Sequence, residues 1–241
     1  MIEFINVSRS YGNRLAVDAL DLTIRPGELF AFLGPNGAGK TTSMKMAVGL
    51  LRPSTGQVRV CGHDVTKEPR EAKAKLSYVP DEPHLYDKLT GREFLQFIAE
   101  MYGMTDTSET DQQIERFGIG DFVDELTETY SHGMKQRLVF ASAFLHHPEV
   151  LVVDEPMVGL DPKSIRLVKD LLREQASAGT TVFMSTHTLA VAEEIGDRIG
   201  IIVRGKLRFI GTLAALKEES RQHHSNLEEM FLEMTRDEEL T

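Results

Sequence analysis

Cysteine is nearly absent from this 241-residue chain. Cys61 stands alone, so neither an intrachain disulfide nor a thiolate metal cluster can form, and a reducing compartment is the simpler setting. Long apolar runs are missing too: Leu138 to Leu145, broken by Ser142, falls far short of the ~20 residues a helix needs to cross a bilayer. The opening residues Met1-Ile2-Glu3-Phe4 show no basic patch followed by an apolar segment, so no signal peptide is expected, and cytosolic residence is. Positive charge is the third shortage. The 27 Lys and Arg face 37 Asp and Glu, a formal net charge of −10, which disfavours broad nucleic-acid binding through phosphates. Half of that excess lies in residues 217–241, where eight acidic and three basic side chains leave −5, a pattern expected of a solvated face.

What is present is an ordinary globular composition, 41% hydrophobic with 19 Gly. A chain of this length buries roughly 70% of its unfolded surface and needs no metal or disulfide to hold its core. Short apolar runs alternate with helical patterns: Leu29–Leu33 then a helix from about Lys40, Val150–Val153 then one from about Pro162, and Thr181–Met184 then Leu189–Ile195. That alternation predicts an α/β fold, and runs without polar alternation predict a parallel sheet covered on both faces. Ile2–Val7, Leu20–Ile24 and Gln57–Val60 alternate partly between turn residues, predicting a small antiparallel layer near the N-terminus. From about 85 to 149 the pattern is helical. Thr90-Gly91-Arg92-Glu93 has capping-box spacing ahead of Phe94, Phe97, Ile98 and Met101, with Gly103 as a stop. Met134, Leu138, Ala141 and Leu145 mark a second helix that ends before Pro148.

Gly34-Pro35-Asn36-Gly37-Ala38-Gly39-Lys40-Thr41 matches G-x-x-x-x-G-K-[ST] directly after a strand and at the start of a helix. A chance match in a chain of this length is on the order of 1%, so a mere Gly-rich turn is a poor account. The glycines let backbone N–H groups of Asn36, Gly37, Ala38 and Gly39 turn inward around a phosphate, and the helix end adds partial positive charge. Lys40 supplies a full charge for β- and γ-oxygens, the Thr41 hydroxyl suits Mg²⁺, and Thr42 is expected to add an α-phosphate contact. The expected ligands are ATP, or a like triphosphate, and Mg²⁺. Val150–Val153 then delivers Asp154 and Glu155 at the edge where parallel sheets bind ligands. Asp154 is expected to hold the metal and Glu155 to polarise an attacking water, although such a pair can also cap the following helix. His187, ending the next strand, is a candidate γ-phosphate partner or a satisfied structural residue.

Between these motifs stands Tyr130-Ser131-His132-Gly133-Met134-Lys135-Gln136-Arg137. It resembles the Leu-Ser-Gly-Gly-Gln signature of the ATP-binding cassette, the ATPase subunit of ABC transporters. The resemblance covers about residues 1–217 and keeps the motif order: Tyr11, the phosphate loop, Tyr78-Val79-Pro80, the signature, the acidic pair, Gly159-Leu160-Asp161 and His187. It implies an α/β P-loop NTPase core with a parallel sheet, an N-terminal antiparallel β layer and an inserted helical subdomain. It also implies a head-to-tail dimer with a second cassette, identical or related, in which ATP lies between one phosphate loop and the partner's signature. Ser131 and the Gly133 amide would then face the γ-phosphate, Tyr11 would stack on adenine or stay an ordinary loop aromatic, and Asp161 would cross the dimer interface. Three residues depart from the pattern. Asp81 stands where the family has a metal-contacting glutamine, His132 replaces a glycine, and Met134 replaces the signature glutamine.

The expected organisation is an ATP-binding core over 1–84 and 150–217, a helical subdomain over 85–149, and an acidic tail over 218–241. Ser225-Asn226-Leu227-Glu228 has capping-box spacing before Leu227, Met230, Phe231 and Met234, predicting a short amphipathic tail helix whose wording resembles type-2 exporter subunits. With no spanning segment, transport requires separate integral membrane subunits, expected to dock near Asp81 and residues 82–102 and to hold the chain on the cytosolic face. Two other readings are a soluble ABC ATPase in assembly or repair and a non-hydrolysing, ATP-dependent regulatory module.

Overall fold

A computed structural model describes residues 1–222 together with Glu229 and Phe231. Two sheets meet over one aromatic-rich core. The first is antiparallel, with strands β1 (Ile2–Tyr11), β2 (Arg14–Ile24), β4 (Thr55–Val60) and β5 (His63–Asp64) in the order β2-β1-β4-β5. The second contains β3 (Leu29–Leu33), β6 (Leu76–Val79), β7 (Val150–Val153), β8 (Thr181–Thr186), β9 (Arg198–Val203) and β10 (Lys206–Gly211). Its order is β10-β9-β3-β8-β7-β6, parallel throughout except for the antiparallel edge pair β9–β10.

The central strands β3, β7 and β8 are buried at every residue, as continuous apolar runs between two covering layers must be. Between the sheets, Phe4, Phe30, Phe32 and Phe183 pack with ring centroids 5.5 to 6.4 Å apart. Burying each such ring stabilises the fold by roughly 1.5–3 kcal/mol. The opposite face of the parallel sheet is covered by α6 (Pro162–Ser177), α7 (Leu189–Ile195) and part of α5 (His132–Phe144), through Val168, Leu172, Ala192, Ile195, Phe140 and Phe144. The antiparallel layer and the covered parallel sheet are thus as expected from the sequence, whereas β9 and β10 add a hairpin edge that the sequence pattern does not single out.

The segment between β6 and β7 is helical: α3 (Gly91–Met101), α4 (Ser108–Arg116), a 3₁₀ turn at Thr127–Thr129, and α5. Thr90 caps α3 with both halves of the capping box, its side chain accepting from the Glu93 amide while Glu93 accepts from the Thr90 amide. Phe94, Leu95, Ile114, Val123, Leu138 and Leu145 form a separate small core. α5 belongs to both cores, with Leu138 and Ala141 facing α3 and Val139 and Phe140 facing the sheet, so it couples the helical layer to the strands. Short helices α1 (Lys40–Ala47), α2 (Pro69–Lys73) and α8 (Leu213–Gln222) complete the described chain. The predicted tail helix lies outside the described residues apart from Glu229 and Phe231, and Phe231 packs partly buried against the sheet-covering core. Among the described residues no helix is long and apolar enough to cross a membrane.

Candidate nucleotide site

The C-terminal ends of β3 and β7 meet at a cavity of about 370 Å³, lined by Tyr11, Asn36, Gly37, Gly39, Lys40, Thr41, Thr42, Asp81 and Glu155, with Arg14 and Ala16 from β2, while His187 at the end of β8 lines a neighbouring cavity that shares Glu155 with it. The phosphate loop leaves β3 and enters α1. Its path depends on two glycines: a Cβ on Gly34 would lie 2.3 Å from the Ile202 carbonyl oxygen, and one on Gly39, at φ +111°, would lie 2.6 Å from that of Ala16. Both obstructions are backbone, so no side-chain adjustment relieves them. Ala38 is buried beneath the loop, with its carbonyl accepting from the Gly205 amide at 2.8 Å.

Lys40 is almost wholly enclosed. Its ammonium donates to the carbonyl oxygens of Gly34 at 2.7 Å and Pro35 at 3.2 Å, and Nζ lies 3.2 Å from Glu155 Oε1. The other Glu155 oxygen, Oε2, is 2.9 Å from His187 Nδ1, so a single carboxylate bridges the loop lysine and the histidine. The geometry that presents Glu155 is strained. Its φ is +46°, a region non-glycine residues seldom occupy outside functional turns, and its amide is held by donation to Ser185 Oγ at 2.8 Å.

Asp154 lies beneath Glu155, fully buried. Ser185 Oγ donates to its Oδ1 at 2.5 Å, while Oδ2 has no hydrogen-bond partner. Burial pushes the Asp154 carboxyl above the usual carboxylate range, hydrogen bonds from Ser185 and Thr41 oppose that, and the charges of Asp81 and Glu155 add to the rise. An ionised buried carboxylate with a free oxygen calls for a positive partner. Together with the adjacent Thr41 hydroxyl it forms a hard oxygen donor set that fits Mg²⁺, an ion that takes few protein ligands and fills its shell with water and phosphate oxygens. The same feature explains why no cluster of three or more His, Cys, Asp or Glu side chains suited to a metal occurs among the described residues. Asp81 lines the cavity opposite, its Oδ1 accepting from the Glu82 amide at 2.9 Å.

Tyr11 is half exposed at the cavity mouth, with the Arg9 guanidinium 4.8 Å above its ring. Ser131, Gly133 and Asp161 do not line this cavity. Ser131 is the N-cap of α5, its hydroxyl accepting from the Met134 amide at 3.3 Å, and a Cβ on Gly133 would meet nothing within 4 Å. This helix end is therefore open to solvent. Asp161 caps α6, accepting from the amides of Lys163 and Ser164 at 2.9 and 3.1 Å and from the Ser164 hydroxyl at 2.6 Å. The helix cap that sequence reasoning allowed for the acidic pair is thus supplied by Asp161, leaving Asp154 and Glu155 inside the site. Two participants escape sequence reasoning. Ser185 joins Asp154 to Glu155 from the neighbouring strand, a partnership visible only once β7 and β8 are paired; Arg14 reaches the cavity from β2, three residues after the Tyr11 of the motif.

A family profile described as ABC transporter matches residues 17–158. Among curated proteins, the ABC transporter ATP-binding protein YhcH of Bacillus subtilis is 42% identical over 208 residues, covering 86% of this chain and 68% of that protein. The daunorubicin/doxorubicin resistance ATP-binding protein DrrA of Streptomyces peucetius is 39% identical, covering 90% of this chain and 66% of that one. Among solved structures, an ATP-binding subunit of an ABC transporter superposes with a TM-score of 0.89 at 29% identity, over 97% of this chain and 98% of that one. The dimeric structure of MJ0796, a bacterial ABC transporter cassette, superposes with a TM-score of 0.81 at 25% identity, over 88% and 99%.

Proposed function

The chain belongs to the ABC transporter family as an ATP-binding, ATP-hydrolysing subunit, and from that membership we propose that it drives export through separate membrane subunits, with Glu155 as the base that activates water. One observation carries this reading: a single enclosed carboxylate stands between the loop lysine and a histidine at the strand edge. When triphosphate enters, Lys40 exchanges its carbonyl and carboxylate partners for β- and γ-oxygens, the backbone amides of residues 36–39 surround the β-phosphate, and Tyr11 covers the adenine. Glu155, released from Lys40, is then free to accept a proton from water in line with the γ-phosphorus, while His187 holds the γ-phosphate or that water. Thr41 and Asp154, with Asp81 across the cavity, would hold Mg²⁺, which supplies charge neutralisation on the phosphate oxygens.

The second half of the site comes from a partner cassette. The Ser131 end of α5 carries helix N-terminal charge, and a Cβ on Gly133 would meet open space, which suits the γ-phosphate of a facing subunit. A different surface suits the membrane partner. A groove of about 900 Å³ runs beside α3, with Leu50, Ile98, Met101 and Tyr102 on its walls and Arg70 and Lys73 on its rim; Leu50 and Met101 are 63% and 69% exposed. Apolar walls of this kind call for a covering protein segment. Asp81 lines the nucleotide cavity and not this groove, while α3 falls within residues 82–102, the region expected to dock the membrane subunits. Export is favoured because relatives of this chain include resistance proteins such as DrrA. Glu155→Gln is the test: phosphate release should fall at least about 100-fold while ATP binding persists. Equal hydrolysis by variant and parent would remove Glu155 from this role.

A further inference from the structure

One cation of the nucleotide cavity is uncommitted. Tyr11 and Arg14 stand directly opposite each other across the two-residue turn Gly12-Asn13, where β1 returns as β2 and Gly12 takes φ +57°. Opposite residues of an antiparallel pair point to the same face, and both of these line the cavity. Two residues further on, β2 is pressed against the phosphate loop, since a Cβ on Gly39 would lie 2.6 Å from the Ala16 carbonyl. Arg14 therefore reaches the loop itself: a Cβ on Gly37 would lie 3.7 Å from its Nη2. Among the described residues Arg14 makes no hydrogen bond or ion pair. The other charged groups of the cavity are engaged. Lys40 holds two carbonyls and Glu155, Glu155 also holds His187, and Asp81 accepts from the Glu82 amide. Arg9, on the Tyr11 ring, donates to the Arg52 carbonyl at 3.0 Å.

A free guanidinium beside a loop whose amides also turn their positive ends inward calls for an anion. Its place decides which one. On one side lies Tyr11, the platform proposed for adenine, and on the other Gly37, in the loop proposed to surround the β-phosphate. We propose that Arg14 binds the α- and β-phosphate oxygens of the nucleotide as a second cation beside Lys40, and so sets the affinity for ATP and ADP alike without entering the chemistry. A planar guanidinium fork spans two oxygens, whereas an ammonium meets them as a point charge. The α- and β-phosphates remain when the γ-phosphate leaves, so the contact is equally strong with substrate and product. Such uniform binding lowers KM and leaves kcat where it was. The inference deepens the nucleotide reading and rests on it.

The whole protein, Arg14→Ala and Arg14→Lys are titrated with ATP and with ADP by calorimetry, in the absence of Mg²⁺ so that ATP stays intact. In Arg14→Ala the Kd for each nucleotide should rise about tenfold, the worth of one charged hydrogen bond. Arg14→Lys, which keeps the charge and loses the fork, should fall between that variant and the parent. With Mg²⁺ restored, phosphate release by Arg14→Ala should show KM raised about tenfold and kcat within about twofold of the parent. The urea midpoint should stay in place, because the side chain has no partner in its own fold to lose. ATP weakened with ADP unchanged would move Arg14 to the γ-phosphate and overturn the proposal. Unchanged affinity for both nucleotides overturns it too, as does a lower kcat at saturating ATP or an affinity loss that accompanies a lowered urea midpoint. A parent that binds neither nucleotide removes the ATP reading itself, a result distinct from a parent and a variant that bind both equally well.

Discussion

Ser185 holds two functional groups with one hydroxyl, donating to Asp154 Oδ1 and accepting from the Glu155 amide. Ser185→Ala should therefore destabilise the protein by about 1–3 kcal/mol near neutral pH, with a pH signature of its own. Burial raises the Asp154 carboxyl above its ordinary value, and Ser185 is among the groups holding it down. A carboxyl raised on folding costs stability progressively as pH climbs from the ordinary carboxylate range through the raised value, and costs nothing once protonated below both. Losing the Ser185 donor lifts the carboxyl further, so the gap between parent and variant widens with rising pH. Urea unfolding at about pH 4 and about pH 7.5 reads it, and a gap of the same size at both would contradict the account. The residues that chemistry labels directly, Lys40, Thr41, Asp154, Glu155 and His187, are legible in sequence because each ends a strand or opens a helix beside a recognisable spacing. Ser185 is not, since its role exists only through a partner 31 positions away.

At the scale of elements, α3 shows how local a structural signal can be. Its capping box is complete, its apolar residues lie on one face, and Gly103 turns the chain at φ +73°; all of this follows from nearest neighbours. Thr90→Ala should cost about 1 kcal/mol and speed amide exchange in α3. ATP affinity should stay within twofold of the parent, because α3 contributes nothing to the nucleotide cavity; a larger loss would mean that the helical layer helps shape that cavity. The hairpin β9–β10 is the contrasting case. β9 is buried almost end to end, so its run carries no period to separate strand from helix. β10 alternates, but with charged Lys206 and Arg208 among its six residues. The turn does leave a trace: Arg204 and Gly205 both have positive φ, as a two-residue hairpin of type I′ requires, though Arg-Gly is a weaker signal than Asn-Gly.

For the whole molecule, the proposed pairing sets the open end of α5 against a second cassette. Glu155→Gln with Mg·ATP should double the particle mass in solution scattering, and ADP should return it to single chains. Gly133→Asp in that background should leave single chains even with ATP. A Cβ there meets open space within 4 Å, so the fold should survive while a negative charge is set against the facing phosphate. A doubled mass in that variant would remove the signature from the interface. Such assembly is not written in any one stretch of sequence, because it needs the N-terminus of α5 and the phosphate loop to face outward from one body. The Lys40–Glu155 contact acquires its meaning here. On the roles proposed for these two residues, an idle cassette keeps its reactive acid clasped by the very lysine that the fuel must claim, so arriving phosphates release the catch on their own destruction and no turnover begins before they are seated.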